Sequence, residues 1–255
     1  MKKAFVFAVI ALGAALGAAA QPQLSDQQLL GAMDFQRFGG YFNPGVSSTT
    51  FTSEIVAQRP DGVKQAVVQV SFKFFQETGD FIARIDYLTP EELSGDVFLV
   101  TGEEVFFWNP DLIEPLKVNG RFEVFGDATV AEVVGIQFSG DYTITGRAQV
   151  TLDGAPAIEL SLTATRASVA FPKAVVVAPL ETLRPATLKL FDESGDLLHD
   201  NTFESYAQTE DGRPYFDRQL LDNRIVPVNQ TLLTITNIEN KELPDALFDV
   251  TKLGQ

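Results

Sequence analysis

The chain has 255 residues, no cysteine and a single histidine, and its 19 basic and 34 acidic residues give a formal net charge of −15 at pH 7. Without cysteine there are no disulfides, no thiolate metal sites and no lipid attached to a cysteine behind the leader, and one histidine cannot build a histidine metal cluster. The acidic balance repels phosphate backbones and anionic bilayers, which excludes nucleic acid as a partner; the acids are scattered and read as a solvating surface.

Lys2 and Lys3, the apolar run Ala4–Gly17 and the small residues Ala18, Ala19 and Ala20 have the layout of a secretory signal peptide cleaved before Gln21. Its apolar core is too short for a membrane span. The mature chain, 21–255, is expected to be soluble, periplasmic or otherwise exported, and built as one domain around its own core. After Gln21-Pro22 the sequence predicts a helix over Ser25–Phe35. Ser25 and Gln28 supply a capping box, and Leu24, Leu29, Leu30 and Met33 form its apolar stripe. Gly39–Val46, rich in Gly, Pro and Asn, reads as a loop.

From Ser47 onward the hydrophobic period is two. A strand around Phe51–Gln58 turns at Pro60-Asp61-Gly62 into a long strand over Lys64–Gln76, with Val68, Val70, Phe72 and Phe74 on one face. A turn at Gly79-Asp80 leads to Phe81, Ala83, Ile85 and Tyr87 on one face, with Arg84 and Asp86 opposite. The meander continues through Val97–Thr101, a turn at Gly102-Glu103, Val105–Trp108 and a short strand over Arg121–Phe125. Gly126–Ile136 breaks the pattern. There Asp127 is placed to cap a short helix over Ala128–Val134, with Val130, Val133 and Val134 exposed along one side. Tyr142, Ile144, Ala148, Val150 and Leu152 are predicted to share a face, and Gly154 turns the chain into Ile158–Ala164. Strands follow at Val175–Ala178, Thr187–Asp192, Asn201–Gln208 and Leu232–Asn237, with a hairpin loop over Asp192–Asp196. Pro172–Pro185 is the one candidate seam between two sheet halves.

The 21 phenylalanines far outnumber the five tyrosines and one tryptophan. Phe72, Phe74, Phe81, Phe98, Phe106, Phe107, Phe122 and Phe125 fall on predicted strands. They suit either a solid core, the simpler account, or the dry wall of a cavity. Catalytic candidates are few, and none is assigned. His199 follows Leu197-Leu198 beside a turn and reads as an exposed bystander, with no Gly-x-Ser-x-Gly elbow to serve. No phosphate-cradling glycine loop is present. Asp192–Asp196 lacks the closing glutamate of a calcium loop and reads as a turn. The adjacent pairs Glu91-Glu92 and Glu103-Glu104, with Asp86, are what 34 acids produce by chance. Asn229-Gln230-Thr231 fits a glycosylation sequon, read as coincidence. No cofactor and no metal are expected.

One stretch carries a resemblance: Arg84-Ile85-Asp86-Tyr87-Leu88-Thr89-Pro90, then Leu93-Ser94-Gly95, Phe98-Leu99-Val100, Gly102, and Val105 through Asn109-Pro110. It resembles the LolA/LolB-like outer-membrane lipoprotein-sorting family. Leu188–Asp192 with Gly195–Leu198 is similar to that family's late hairpin. Thr231–Asn237 with Asn240, Leu243-Pro244-Asp245 and Phe248 is similar to its closing strand and short terminal helix. The resemblance implies a mainly β fold: a strongly curved antiparallel sheet, an incomplete β-barrel, covered by an N-terminal helix and a short lid helix. It implies a cavity for acyl chains walled by Val68, Val70, Phe72, Phe74, Phe81, Ile85, Phe98, Phe106, Trp108 and Phe122, with Val130, Val133 and Val134 on the lid. Arg84 matches a strand arginine that touches the covering helix in relatives; its plain reading is an exposed strand arginine paired with Asp86 or a neighbouring acid. The chain departs from the family at Phe125-Gly126-Asp127-Ala128-Thr129, where relatives carry a Gly-Ser-Asp-Phe-like stretch. The implied partners are an acyl lipid or lipoprotein cargo, an inner-membrane donor and an outer-membrane acceptor, for a monomeric carrier that is not an enzyme. A ligand-switched envelope sensor on the same fold and a carboxylate hydrolase of cell-wall glycan are the rival readings.

Overall fold

A computed structural model describes residues 24–39, 41, 47–75, 80–102, 104–226 and 229–253. The predicted leader, most of the Gly39–Val46 loop, the turn before Asp80 and Glu103 lie outside the described residues. Helix α1 (Asp26–Phe38) starts as its sequence dictates. The Ser25 hydroxyl accepts the Gln28 backbone N–H while the Gln28 side chain accepts that of Ser25, and Leu29, Leu30 and Met33 are buried. It runs three residues past the predicted end because Arg37 and Phe38 are also buried, and periodicity never assigns an arginine to an apolar stripe.

The strands form two runs. The first contains β1 (Ser48–Arg59), β2 (Gly62–Phe75), β3 (Asp80–Thr89), β4 (Val97–Thr101), β5 (Glu104–Trp108) and β6 (Leu116–Val118). The chain then leaves this sheet for a two-stranded ribbon, β7 (Glu123–Phe125) with β8 (Ala128–Thr129), and two short helices, α2 (Val130–Val134) and α3 (Phe138–Asp141). The second run contains β9 (Tyr142–Leu152), β10 (Ala155–Ala164), β11 (Lys173–Pro179), β12 (Thr187–Phe191), β13 (Leu197–Gln208), β14 (Pro214–Asn223) and β15 (Gln230–Asn240). Strand β15 pairs with β1, so both runs merge into one thirteen-stranded antiparallel sheet, ordered β6-β5-β4-β3-β2-β1-β15-β14-β13-β12-β11-β10-β9. The sheet is curved but not closed. Its edges are β6 and β9, the strands on either side of the excursion, so residues 119–141 carry the chain from one open edge to the other.

Alternation sorts the side chains onto two faces. The inner face, under the helices, carries Phe51, Ile55, Val68, Val70, Phe72, Ala83, Ile85, Phe98, Leu160, Val176 and Leu190 into one core with Leu29, Leu30, Met33, Val130 and Phe138. The outer face carries a smaller cluster in which Val97, Leu99, Phe106 and Trp108 meet Leu243, Leu247, Phe248 and Leu253. The predicted terminal helix is two 3₁₀ turns, Asp245–Phe248 and Val250–Lys252, laid on that outer face.

Several sequence expectations are corrected. Arg121–Phe125 is not a strand of the main sheet; only Glu123–Phe125 is extended, and it pairs with β8. Tyr142 and Ile144 do not share a face with Ala148, Val150 and Leu152. A bulge where Ser161 and Leu162 pair with Gly146 and Ile144 inserts one residue and inverts the alternation. Pro172–Pro185 is no seam, since β11 pairs with β10 and β12. Strand β14 escapes a period-two reading because Asp217 is skipped where Arg218 and Phe216 pair with Ser205 and Tyr206, shifting the phase mid-strand. Replacing Ser25 by alanine removes the cap acceptor from an exposed position, and should cost about 1 kcal/mol of stability in urea titration with an unchanged m-value.

Candidate functional site

The inner face is apolar because alternate residues of β1 to β5 are. Ring centroids run from Tyr41 to Phe51 (4.7 Å), Phe51 to Phe72 (5.8 Å), Phe72 to Phe81 (5.9 Å) and Phe81 to Phe74 (6.2 Å), an aromatic row across three strands. Val68, Val70, Ile85 and Phe98 stand on the same face and are buried. Three of the predicted wall residues are elsewhere. In β5 the alternation turns Val105 and Phe107 inward, so Phe106 and Trp108 face outward into the second cluster. Phe122 is not on the sheet; it belongs to the excursion and stacks on Phe107 and Phe98, both at 5.7 Å.

Residues 119–141 form the cover. The expected cap, Asp127, does not cap α2. Thr129 does, in a box with Glu132: the Thr129 hydroxyl accepts the Glu132 N–H at 3.3 Å, and Glu132 Oε2 accepts the Thr129 hydroxyl at 2.8 Å and its N–H at 3.2 Å. Val130, Val133 and Val134 are not exposed along one side. They are 1%, 4% and 6% accessible, because the helix lays them against the apolar inner face. Gly135 (φ 100°) then reverses the chain against the Phe38 ring, where a Cβ would sit 2.6 Å from a ring carbon. Arg84 takes no part in this cover. It lies on the outer face, donates bidentately to Asp86 (2.7–2.9 Å) and gives Nη1–H to the Leu247 carbonyl at 3.1 Å.

Besides the Tyr87 hydroxyl and the Arg59 guanidinium, which donate to the Val124 and Gly126 carbonyls, three carboxylates fasten the cover. Asp34 of α1 accepts the backbone N–H groups of Phe138 (2.9 Å) and Ser139 (2.7 Å). Arg37 pairs with Asp34 at 2.9 Å, donates to the Ile136 carbonyl and lies 3.7 Å from the Phe138 ring centre. Asp127 accepts Nδ2–H of Asn223 at 2.8 Å, lies 3.7 Å from Arg59, and its N–H donates to the Thr231 hydroxyl at 3.0 Å. Glu132 makes the third contact. Its Oε1 lies 2.8 Å from Nδ1 of His199 and accepts Nδ2–H of Asn201 at 2.8 Å, both on β13. Burial pulls the Arg37 guanidinium below its ordinary value against the opposing charge of Asp34. Burial would raise Glu132, but the His199 charge and hydrogen bonds from His199, Asn201 and Thr129 outweigh it and hold the carboxyl below its usual range. Between α1, the cover and the sheet remains a void of about 10 Å³, room for one water, lined by residues that include Arg37, Glu132 and Gln219.

His199 is therefore not an exposed bystander. It is the third residue of β13, 7% accessible, facing inward opposite Leu190. Two leucines before a histidine looked like a turn margin, and its partner lies 67 residues away with no local signature. The sequon at Asn229 is sealed: Asn229 donates to Asp127 at 3.4 Å and Thr231 is fully buried. In the Asp192–Asp196 hairpin, Asp192 Oδ1 accepts N–H of Gly195 and Asp196, both at 2.9 Å, which makes a turn. Among the described residues no group of three His, Asp or Glu is placed to hold a metal, and no helix is long and apolar enough to cross a membrane.

An open curved antiparallel sheet with its inner face roofed by helices defines the class, and it has the LolA-like fold. A LolA superfamily protein from Nitrosomonas europaea is 19% identical with a TM-score of 0.77, over 89% of this chain and 98% of that one. A domain described as an outer-membrane lipoprotein-sorting protein, from Vibrio parahaemolyticus, is 15% identical with a TM-score of 0.73, over 90% and 98%. A DUF1329 family protein from Desulfovibrio piger is 17% identical with a TM-score of 0.72, over 89% and 97%. These likenesses are of fold. A family model described as "Uncharacterized protein" matches residues 82–255, and the chain belongs to that family. No curated protein matches the sequence.

Removing one partner of the buried pair leaves the other unpaired in the core, so His199→Ala should cost about 3–5 kcal/mol in chemical denaturation. Glu132→Gln combined with His199→Phe removes both charges, keeps an acceptor beside Asn201 and Thr129, and should recover part of that loss.

Proposed function

We propose that the protein is an exported carrier that binds the acyl chains of a lipid or lipoprotein on the inner face of its sheet. One module, the mature chain, would carry them towards the outer membrane. The observation that carries this reading is the mismatch between wall and roof. The wall is a broad aromatic and aliphatic sheet face, yet beside α1 its roof is a single pass of chain, residues 119–141, that spans two unpaired edges and is fastened by a few side-chain contacts. A roof of that kind is displaceable without breaking the sheet. Val130, Val133 and Val134 cover the surface an acyl chain would take, and each methylene buried in their place is worth about 0.8 kcal/mol. Transfer then needs no energy source, only a donor membrane protein that presents the anchor and an acceptor that withdraws it. The fold likeness to lipoprotein-sorting proteins and the leader-like N-terminus support export and this cargo class. The work is binding, and no catalytic constellation is assigned.

Delipidated, refolded protein should take up a pyrene-labelled phosphatidylcholine from vesicles in stoichiometric amount. Val133→Ala with Val134→Ala, which weakens the roof but not the wall, should speed uptake several-fold. Absence of uptake by both proteins would rule out the carrier. Uptake without any release to acceptor vesicles would favour the ligand-switched sensor.

A further inference from the structure

The buried contacts of the cover divide by where they lead. Asp34 and Arg37 join residues 136–139 of the cover to α1, the other element over the inner face. Asp127 and Glu132 reach out of the cover into β13, β14 and β15, and the Val124 and Gly126 carbonyls accept from Tyr87 of β3 and Arg59 of β1. The second kind joins the cover to the sheet itself and must break when the cover leaves it. Within it, the Glu132–His199 pair contains the chain's one imidazole, the side chain that ordinarily titrates near neutral pH. Glu132 does two tasks at once: Oε2 closes the capping box of α2, and Oε1 holds β13. Freeing Oε1 therefore removes the contact between α2 and β13 without opening the capping box.

The surroundings bias the pair. On β13 its neighbour is Asn201, on β14 Gln219 and Asn223, on β15 Thr231, and on β12 the apolar Leu188 and Leu190. The Phe171 ring lies 5.9 Å from the imidazole. The charged groups that face the pair are Asp127 before α2, Glu123 of β7, Arg37 of α1 across the small void, and Arg59 of β1 behind Asp127. The imidazole thus has carboxylates around it, and among the described residues no cation is found in contact with it.

The geometry points to a proton-operated latch: with His199 protonated, the Glu132–His199 contact holds α2 to β13, and loss of that proton as pH rises releases the cover. Its use as a gate for cargo rests on the carrier reading, whereas the latch itself does not. Burial alone would lower His199, but the Glu132 carboxylate, then Asp127 and Glu123, outweigh it and raise it above its ordinary value. A histidine raised in the closed form binds its proton more tightly there than in the open form. Its contribution is complete below the ordinary histidine value and is lost as pH climbs through the closed-form value. Glu132, lowered in the closed form, sets the acid limit, losing its contribution only as pH falls through its depressed value.

The chain has no cysteine and one histidine, which makes both ends of the latch readable. Val133→Cys places a thiol under the cover and Gln149→Cys places one on an exposed edge-strand position. The ratio of their alkylation rates at each pH cancels thiolate chemistry and reports opening. The ratio should rise about tenfold for every unit by which the closed-form histidine value exceeds the open one. Its midpoint should coincide with the titration of the sole imidazole followed by NMR. His199→Gln should flatten the ratio. Glu132→Gln with His199→Gln, which replaces the charges by two amides, should flatten it as well should the single variant not fold. A pH-independent ratio in the otherwise native chain, or an unchanged rise in the double variant, would overturn the latch. Pyrene-labelled phosphatidylcholine, whose head group does not titrate in this range, should enter at rates that follow the ratio. A rising ratio with no uptake at any pH supports the latch and removes the carrier reading instead.

Discussion

A curved sheet that stops short of closing has an apolar inner face and no second sheet to cover it. That constraint organises the rest of the molecule. Closure into a barrel would let β6 and β9 pair and the interior fill with side chains. Here the two edges stay apart, and the chain between them is drawn across the mouth. Helix α1 takes one part of the face and the excursion takes the rest. Both do so with amphipathic or aliphatic residues, because buried apolar area is the only large favourable term available to so short a span.

A roof of a few turns cannot specify its own seat by hydrophobic contact alone, since valines fit many places on an aromatic wall. The buried polar contacts supply the register. Asp34 meets two N–H groups at the start of α3, Asp127 meets amides and a hydroxyl on two strands, and Glu132 meets His199 and Asn201. Each such group loses hydration on closing, and pairing in a low-dielectric interior returns most of that cost without much surplus. The contacts therefore orient the roof strongly and stabilise it weakly. A cover seated this way is ordered when shut and inexpensive to lift.

What was legible in the sequence follows the same division. The long strands, α1 with its Ser25 cap and the inward face of β2 and β3 are local patterns, set by period, turn residues and capping chemistry, and they read directly. Phe106 and Trp108 misled because β5 is aromatic on both faces, and composition does not say which face is roofed by helices and which by the C-terminal turns. Ala148, Val150 and Leu152 misled because one bulged residue inverts an otherwise clean alternation. Asp127 looked like a cap, and Thr129 with Glu132, three residues on, was the stronger capping box. The burial of His199, Arg37 and Asn201 is not legible, since Glu132 lies 67 and 69 residues from His199 and Asn201, the Ile136 carbonyl lies 99 from Arg37, and a buried charge has no sequence period.

The two faces of the sheet now differ in a way that bears on function. On the outer face the C-terminal turns lay Leu247, Phe248 and Leu253 onto Leu99 and its neighbours, and Arg84 adds a bond to a backbone carbonyl, with Asp86 satisfying the guanidinium on the sheet itself. If that segment lifted, Lys73 would lose Asp245, a carboxylate that already stands in solvent. On the inner face the opposite holds: lifting the cover separates Glu132 from His199 and Asp127 from Asn223, and exposes an aromatic row to water. The closed state there is held by buried charged pairs and by apolar contact between the valines and the sheet face, so opening would cost both at once.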